Sequence, residues 1–98
     1  MNRATTQEER DQADSESILG SLRQLLAGDA RRNKTQRAHH TLTLSAFNGD
    51  GQRFAKTLTV RCDRSLGRPE FSYEYANGWT GERRVVSAEE ALSLSRGA

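Results

Sequence analysis

Between Leu26 and Leu42 the hydrophobic period of this 98-residue chain changes from helical to alternating. Before the change, Ile18, Leu19, Leu22, Leu25 and Leu26 fall on one face of a helix. After it, Leu42, Leu44 and Ala46 alternate with Thr41, Thr43 and Ser45, the period of a strand with one buried face. The leucine stripe needs an apolar surface to lie on. The sheet that follows can supply it, which makes a two-layer α+β core, and a second copy of the helix can supply it too, which makes a dimer seam.

The helix is expected over Ser15–Ala27. Asp14 or Ser15 can cap it, Glu16 suits its positive end, and Gly28 can adopt the left-handed conformation that closes a helix. Residues 1–14 hold one large apolar residue, Met1, and read as a flexible polar tail because they have little surface to bury. The competing reading is a solvated first helix, since Thr5 with Glu8, or Thr6 with Glu9, has capping-box spacing. Residues 29–40 lack large apolar side chains, carry Arg31, Arg32, Lys34 and Arg37, and read as a basic linker.

Four strands are expected. The first ends at Asn48-Gly49-Asp50-Gly51, residues that tolerate the positive φ of a tight hairpin. The second, from Gln52 to Cys62, places Phe54, Leu58, Val60 and Cys62 on one side and Arg53, Thr57, Thr59 and Arg61 on the other; Lys56 interrupts the apolar side, as at a bulge. After the polar connection through Pro69, Phe71, Tyr73 and Tyr75 alternate with Ser72 and Glu74, Asn77-Gly78 marks a turn, and Trp79–Val86 returns as the last strand. Ser87 and Glu90 have the spacing of a capping box before a short helix containing Ala91 and Leu92. The expected fold is α+β: an N-terminal amphipathic helix, a four-stranded antiparallel meander and a short C-terminal helix, forming one domain over residues 15–96.

Composition narrows the function. The chain has 21 large apolar residues, a thin core for its length, and all but Met1 lie from Ile18 onward with none between Leu26 and Leu42. The folded unit is therefore shorter than the chain. A single cysteine rules out an internal disulfide, and no apolar run is long enough for a membrane span, so the expected compartment is the cytoplasm. His39 and His40 are adjacent, so on a strand they point to opposite faces, and no third residue stands at metal-site spacing. Cys62 belongs to an apolar strand face, where cysteine behaves as a small hydrophobe. The glycine-rich turn lacks the lysine and helix of a phosphate loop. No enzymatic activity, cofactor or metal is expected.

Two binding readings remain. Thirteen of the fifteen basic residues are arginine, the side chain suited to carboxylate, phosphate and interface contacts. Arg53, Arg61 and Arg84 on the outer sheet face, with Arg31, Arg32 and Arg37 of the linker, form the expected binding surface. A protein partner is the first reading, because arginine and aromatic residues are enriched at contact surfaces. The format matches small phage- or plasmid-encoded proteins that inhibit or redirect a larger host partner. The alternative is nucleic acid held by phosphate contacts, although no base-stacking platform is evident. Self-association is expected through the stripe of Ile18, Leu19, Leu22, Leu25 and Leu26, giving a homodimer.

Overall fold

The computed structural model describes residues 7–45 and 55–96, with the side chains of the first helix described from Glu16 onward. The element order is α1 (Gln7–Arg32), β1 (Arg37–Ser45), β2 (Lys56–Asp63), β3 (Glu70–Asn77), β4 (Glu82–Val86) and α2 (Ala88–Arg96). The strands form one antiparallel sheet in the order β1-β2-β3-β4, the expected meander. Both helices lie on one face. α1 covers β1 and β2, and α2 sits beside it over β2 and β3.

The leucine stripe resolves into two parts. Leu19, Leu22, Leu26 and Ala30 recur at helical spacing and are buried against the sheet. Ile18 and Leu25 are 54% and 58% exposed, so the expected dimer stripe is corrected: its other three leucines are already covered within one chain. Opposite the helix, Leu58, Val60 and Cys62 are the largest fully buried side chains, with Tyr73, Tyr75 and Val86 beside them. Burying a leucine or valine of this kind stabilises by about 1.5–3 kcal/mol each.

Two boundaries differ from expectation. α1 starts by Gln7, so the helical reading of the polar N-terminal segment holds from there; Gln, Glu, Arg and Ala, which dominate residues 7–13, are good helix formers even without surface to bury. At its other end α1 runs through Gly28 to Arg32, because Ala30 gives the extra turn a fully buried anchor and Arg31 and Arg32 suit the negative end. The left-handed residue that turns the chain is Gln36, at φ 60°. Of the expected linker only residues 33–36 lie outside regular structure, since β1 already begins at Arg37.

Register fixes the faces. Ala38, His40 and Leu42 lie opposite Cys62, Val60 and Leu58, which in turn face Phe71, Tyr73 and Tyr75 on the helix side. The one irregularity falls in β1 between Thr43 and Ser45, directly across from Thr57 and Lys56, where the sequence led us to expect a shifted pleat. The β3–β4 connection is wider than a two-residue hairpin. Asn77 pairs with Glu82, its Oδ1 accepts the Trp79 and Thr80 N–H groups, and Gly81 at φ 80° closes the loop. Trp79 therefore lies in that loop, 58% exposed, and not in the last strand. Ser87 Oγ accepts the Glu90 N–H as expected of a cap, while the Glu90 carboxylate reaches across to Arg84.

Candidate interaction surface

The face of the sheet away from the helices carries Arg37, His39, Thr41 and Thr43 of β1, Thr57, Thr59, Arg61 and Asp63 of β2, Glu70, Ser72, Glu74 and Ala76 of β3, and Arg83 and Val85 of β4. Among the described residues no element covers it. Thr41 and Thr59 hydroxyls share a hydrogen bond of 2.9 Å across the first pair of strands. The arginines are matched by carboxylates: Arg37 Nε lies 3.2 Å from Asp63, Arg61 lies 3.4 Å from Glu74, and Arg83 lies 3.8 Å from the same Glu74 oxygen. The three arginines are balanced by the three carboxylates Asp63, Glu70 and Glu74 on the described face. Such exposed pairs stabilise little, but they cancel the field that would draw a phosphate backbone.

The structure separates the expected binding residues. Arg61 and Arg37 are on the outer face, whereas Arg84 lies on the helix side opposite Tyr75, which corrects its expected place. The sequence contained the signal. Val86 is buried, and a residue two positions away along a strand shares its face. There Arg84 stands 5.3 Å from the Tyr75 ring centroid and pairs with Glu82 at 3.0 Å and with Glu90 of α2. The Glu90 hydrogen bond, with help from Glu82, raises its pKa above the ordinary value, and the Arg84–Glu90 pair links β4 to α2. Arg53 and the Asn48–Gly51 turn, with Ala46, Phe47 and Phe54, lie outside the described residues.

Arg31 and Arg32 end α1, and this end of the molecule gathers further charge. The Arg64 N–H donates to the Gln36 carbonyl, which brings the β2–β3 connection beside the α1–β1 turn. Arg32 pairs with Asp29 and Arg68 with Glu70, while Arg31, Lys34 and Arg64 have no ion-pair partner among the described residues. A cleft of about 950 Å³ opens here, lined in part by Asp29, Asn33, Arg37, His39, Asp63 and Glu70. Asp63 is held below the usual carboxylate range, first by the Ser65 hydroxyl and backbone N–H that donate to it and then by Arg37. Cys62 is 1% exposed, and burial pushes its thiol up against the opposing influence of Arg64. His39 and His40 point to opposite faces, and no group of three His, Cys, Asp or Glu able to hold a metal occurs among the described residues. No described helix is long and apolar enough to cross a membrane.

Sequence reasoning missed Trp79, Arg83 and Val85. Val85 is 76% exposed at the outer face of β4, two residues along from Arg83. Adjacent Val85 and Val86 cannot both face a core from one strand, so one exposed valine was readable in advance. No known family model, curated protein or solved structure is significantly similar to the chain.

Proposed function

We propose that the protein is a small non-catalytic protein-binding module that modulates or inhibits a larger partner, docking it at the β4 side of the sheet through Arg83 and Val85 of the open face and Trp79 of the adjoining β3–β4 loop. The observation that carries this reading is the composition of that face. Its arginines stand beside carboxylates and its net charge is nil, while Val85 on it and Trp79 in the adjoining loop present apolar surface to solvent. Tryptophan and arginine are the side chains most often found to dominate binding energy at protein contacts. A partner bearing its own mixed charges can exchange ion pairs with Arg61, Arg83 and Glu74; a polyphosphate meets Glu74 and Glu70 as well as the cations.

A second reading is nucleic-acid binding, favoured by Arg31, Lys34 and Arg64 at the end of the domain, which have no ion-pair partner among the described residues. Those three residues can grip a phosphate backbone without reading bases.

The test is capture from nuclease-treated lysate by the immobilised full chain beside its Trp79→Ala and Val85→Asp variants. Both positions are exposed, so the variants should retain the wild-type circular dichroism. The expected result is one protein retained at stoichiometric yield by the wild type and lost from both variants. Equal retention by all three chains would overturn the assignment of this face.

A further inference from the structure

We propose that two copies of this chain join along β1, edge to edge and antiparallel, into one continuous eight-stranded sheet, with Ile18 and Leu25 of the two α1 helices packed across the seam. The surface involved is the opposite edge from the one assigned above, so the inference stands independently of the functional reading.

The two sheet edges are built differently. β4 has five residues, begins Glu82-Arg83-Arg84, and is crossed by the Arg84–Glu90 pair that ties it to α2. Short length and charge are the devices that keep an edge from pairing with another chain. β1 has nine residues, contains neither proline, lysine nor acid, and has no strand on its outer side among the described residues. Its register with β2 is regular from Arg37 to Thr43. Among the described residues, this edge offers a long row of N–H and C=O groups with no strand beside it, only the Arg37 carbonyl being taken, by Asn33 Nδ2.

The apolar flank lies above the same edge. Arg23 of α1 donates to the Tyr73 hydroxyl of β3, so that side of the helix faces the middle of the sheet. Ile18 and Leu25 stand about 140–160° around the helix from Arg23, which turns them toward the β1 side. Each exposes more than half of its surface there. Leu42, on the helix side of β1, is itself only partly covered.

Self-complementarity selects a second copy as the occupant. A two-fold axis through Thr41 sets Thr41 against itself, His40 against Leu42, His39 against Thr43, Ala38 against Leu44 and Arg37 against Ser45. No two charged or titratable groups meet, and apolar positions share the helix side of both copies. The helices register as well. Asn33 Nδ2 donates to the Arg37 carbonyl, which places the end of α1 level with the start of β1. Four strand residues advance about 13 Å, the length of about nine helical residues, so Leu25 comes near the level of Thr41 and meets its own copy close to the axis.

The experiment is sedimentation equilibrium of the full chain, with Ile18→Glu and Leu25→Glu as variants at positions exposed in the monomer. The wild type should reach twice the 10.9 kDa chain mass at micromolar concentration, and each variant should weaken dimerisation at least about tenfold while keeping the wild-type circular dichroism. Thr41→Cys reports the register directly. Antiparallel partners on facing edges have Cα atoms about 4.5–5.5 Å apart, within disulfide range, so mild oxidation should link two copies through residue 41, whereas Ser72→Cys on the inner strand β3 should not link. A wild-type chain that stays monomeric, a dimer indifferent to both glutamates, or a dimer that Thr41→Cys fails to link would each overturn the proposal.

Discussion

Leu25 and Leu26 are neighbours in sequence with opposite fates, and replacing each by alanine separates what holds the monomer together from what lies on its surface. Leu26 is 2% exposed between α1 and the sheet, so truncation removes a full leucine's burial and leaves a cavity beneath the helix. Buried Leu→Ala changes cost about 2–5 kcal/mol, and a site in the same buried core as Leu22, Ala30 and Val60 has little freedom to collapse, which points to about 3 kcal/mol. For a domain of this size each kcal/mol moves the melting temperature by about 4–8 °C, so Leu26→Ala should melt roughly 12–24 °C below the wild type. Leu25 buries less than half of its surface, and alanine is the better helix former, so Leu25→Ala should cost at most about 1 kcal/mol. The assay is thermal and urea unfolding followed at helical wavelengths, in solution dilute enough to hold the chain monomeric. Equal losses from the two substitutions, or a Leu26→Ala loss below about 1 kcal/mol, would refute the division of the stripe into core and surface.

Other expectations follow from single contacts. Ser87 caps α2 through the Glu90 N–H, and Ser87→Ala should lower stability by about 1 kcal/mol in urea unfolding, with Ser87→Thr or Ser87→Asp nearly neutral. Cys62 is buried with a raised pKa, so its thiol should resist alkylation in the native state and react only along the unfolding transition; ready native labelling would contradict its place in the core. The same shift carries a sign. A thiol whose folded pKa lies above its unfolded value leaves stability intact below about pH 8.5, and stability declines as pH rises beyond that. Asp63 shifts the other way. Its lowered pKa stabilises the fold above about pH 4, so the stability gap between wild type and Asp63→Asn should be full near neutrality and close as acid titrates the carboxylate.

The sheet was legible in the sequence because period two is hard to imitate: Leu58, Val60 and Cys62 against Phe71, Tyr73 and Tyr75 define one face without further information. The α1 stripe was legible as apolar, but five residues spread over nine positions make too broad an arc for one sheet contact. Which of them are covered depends on where α2 and β3 lie, a tertiary fact that Arg23 and Tyr73 record. The position of the α1 end was hidden by Gly28, whose usual role as a stop gives way to the buried Ala30 two residues on. Arg84 was misplaced because the last strand was read as starting at Trp79. Once the Asn77 side chain holds a four-residue loop, the parity runs back from Val86 and sends Arg84 to the helix side. For the candidate surface the sequence showed abundant arginine and a few aromatic residues, and too little to tell which arginines have carboxylate neighbours.

On the proposed reading the open sheet face, its arginines balanced by carboxylates, is a surface for proteins and the basic end is secondary. Titration of labelled duplex DNA and single-stranded RNA with the full chain across a range of salt concentrations tests this most directly. The expected result is no saturable binding at micromolar protein, with weak residual affinity whose log–log salt slope is shallower than about −2, the mark of two or fewer phosphate contacts. Micromolar or tighter binding with a slope of about −4 or steeper, abolished by reversing the charge of Arg31, Lys34 and Arg64, would contradict it.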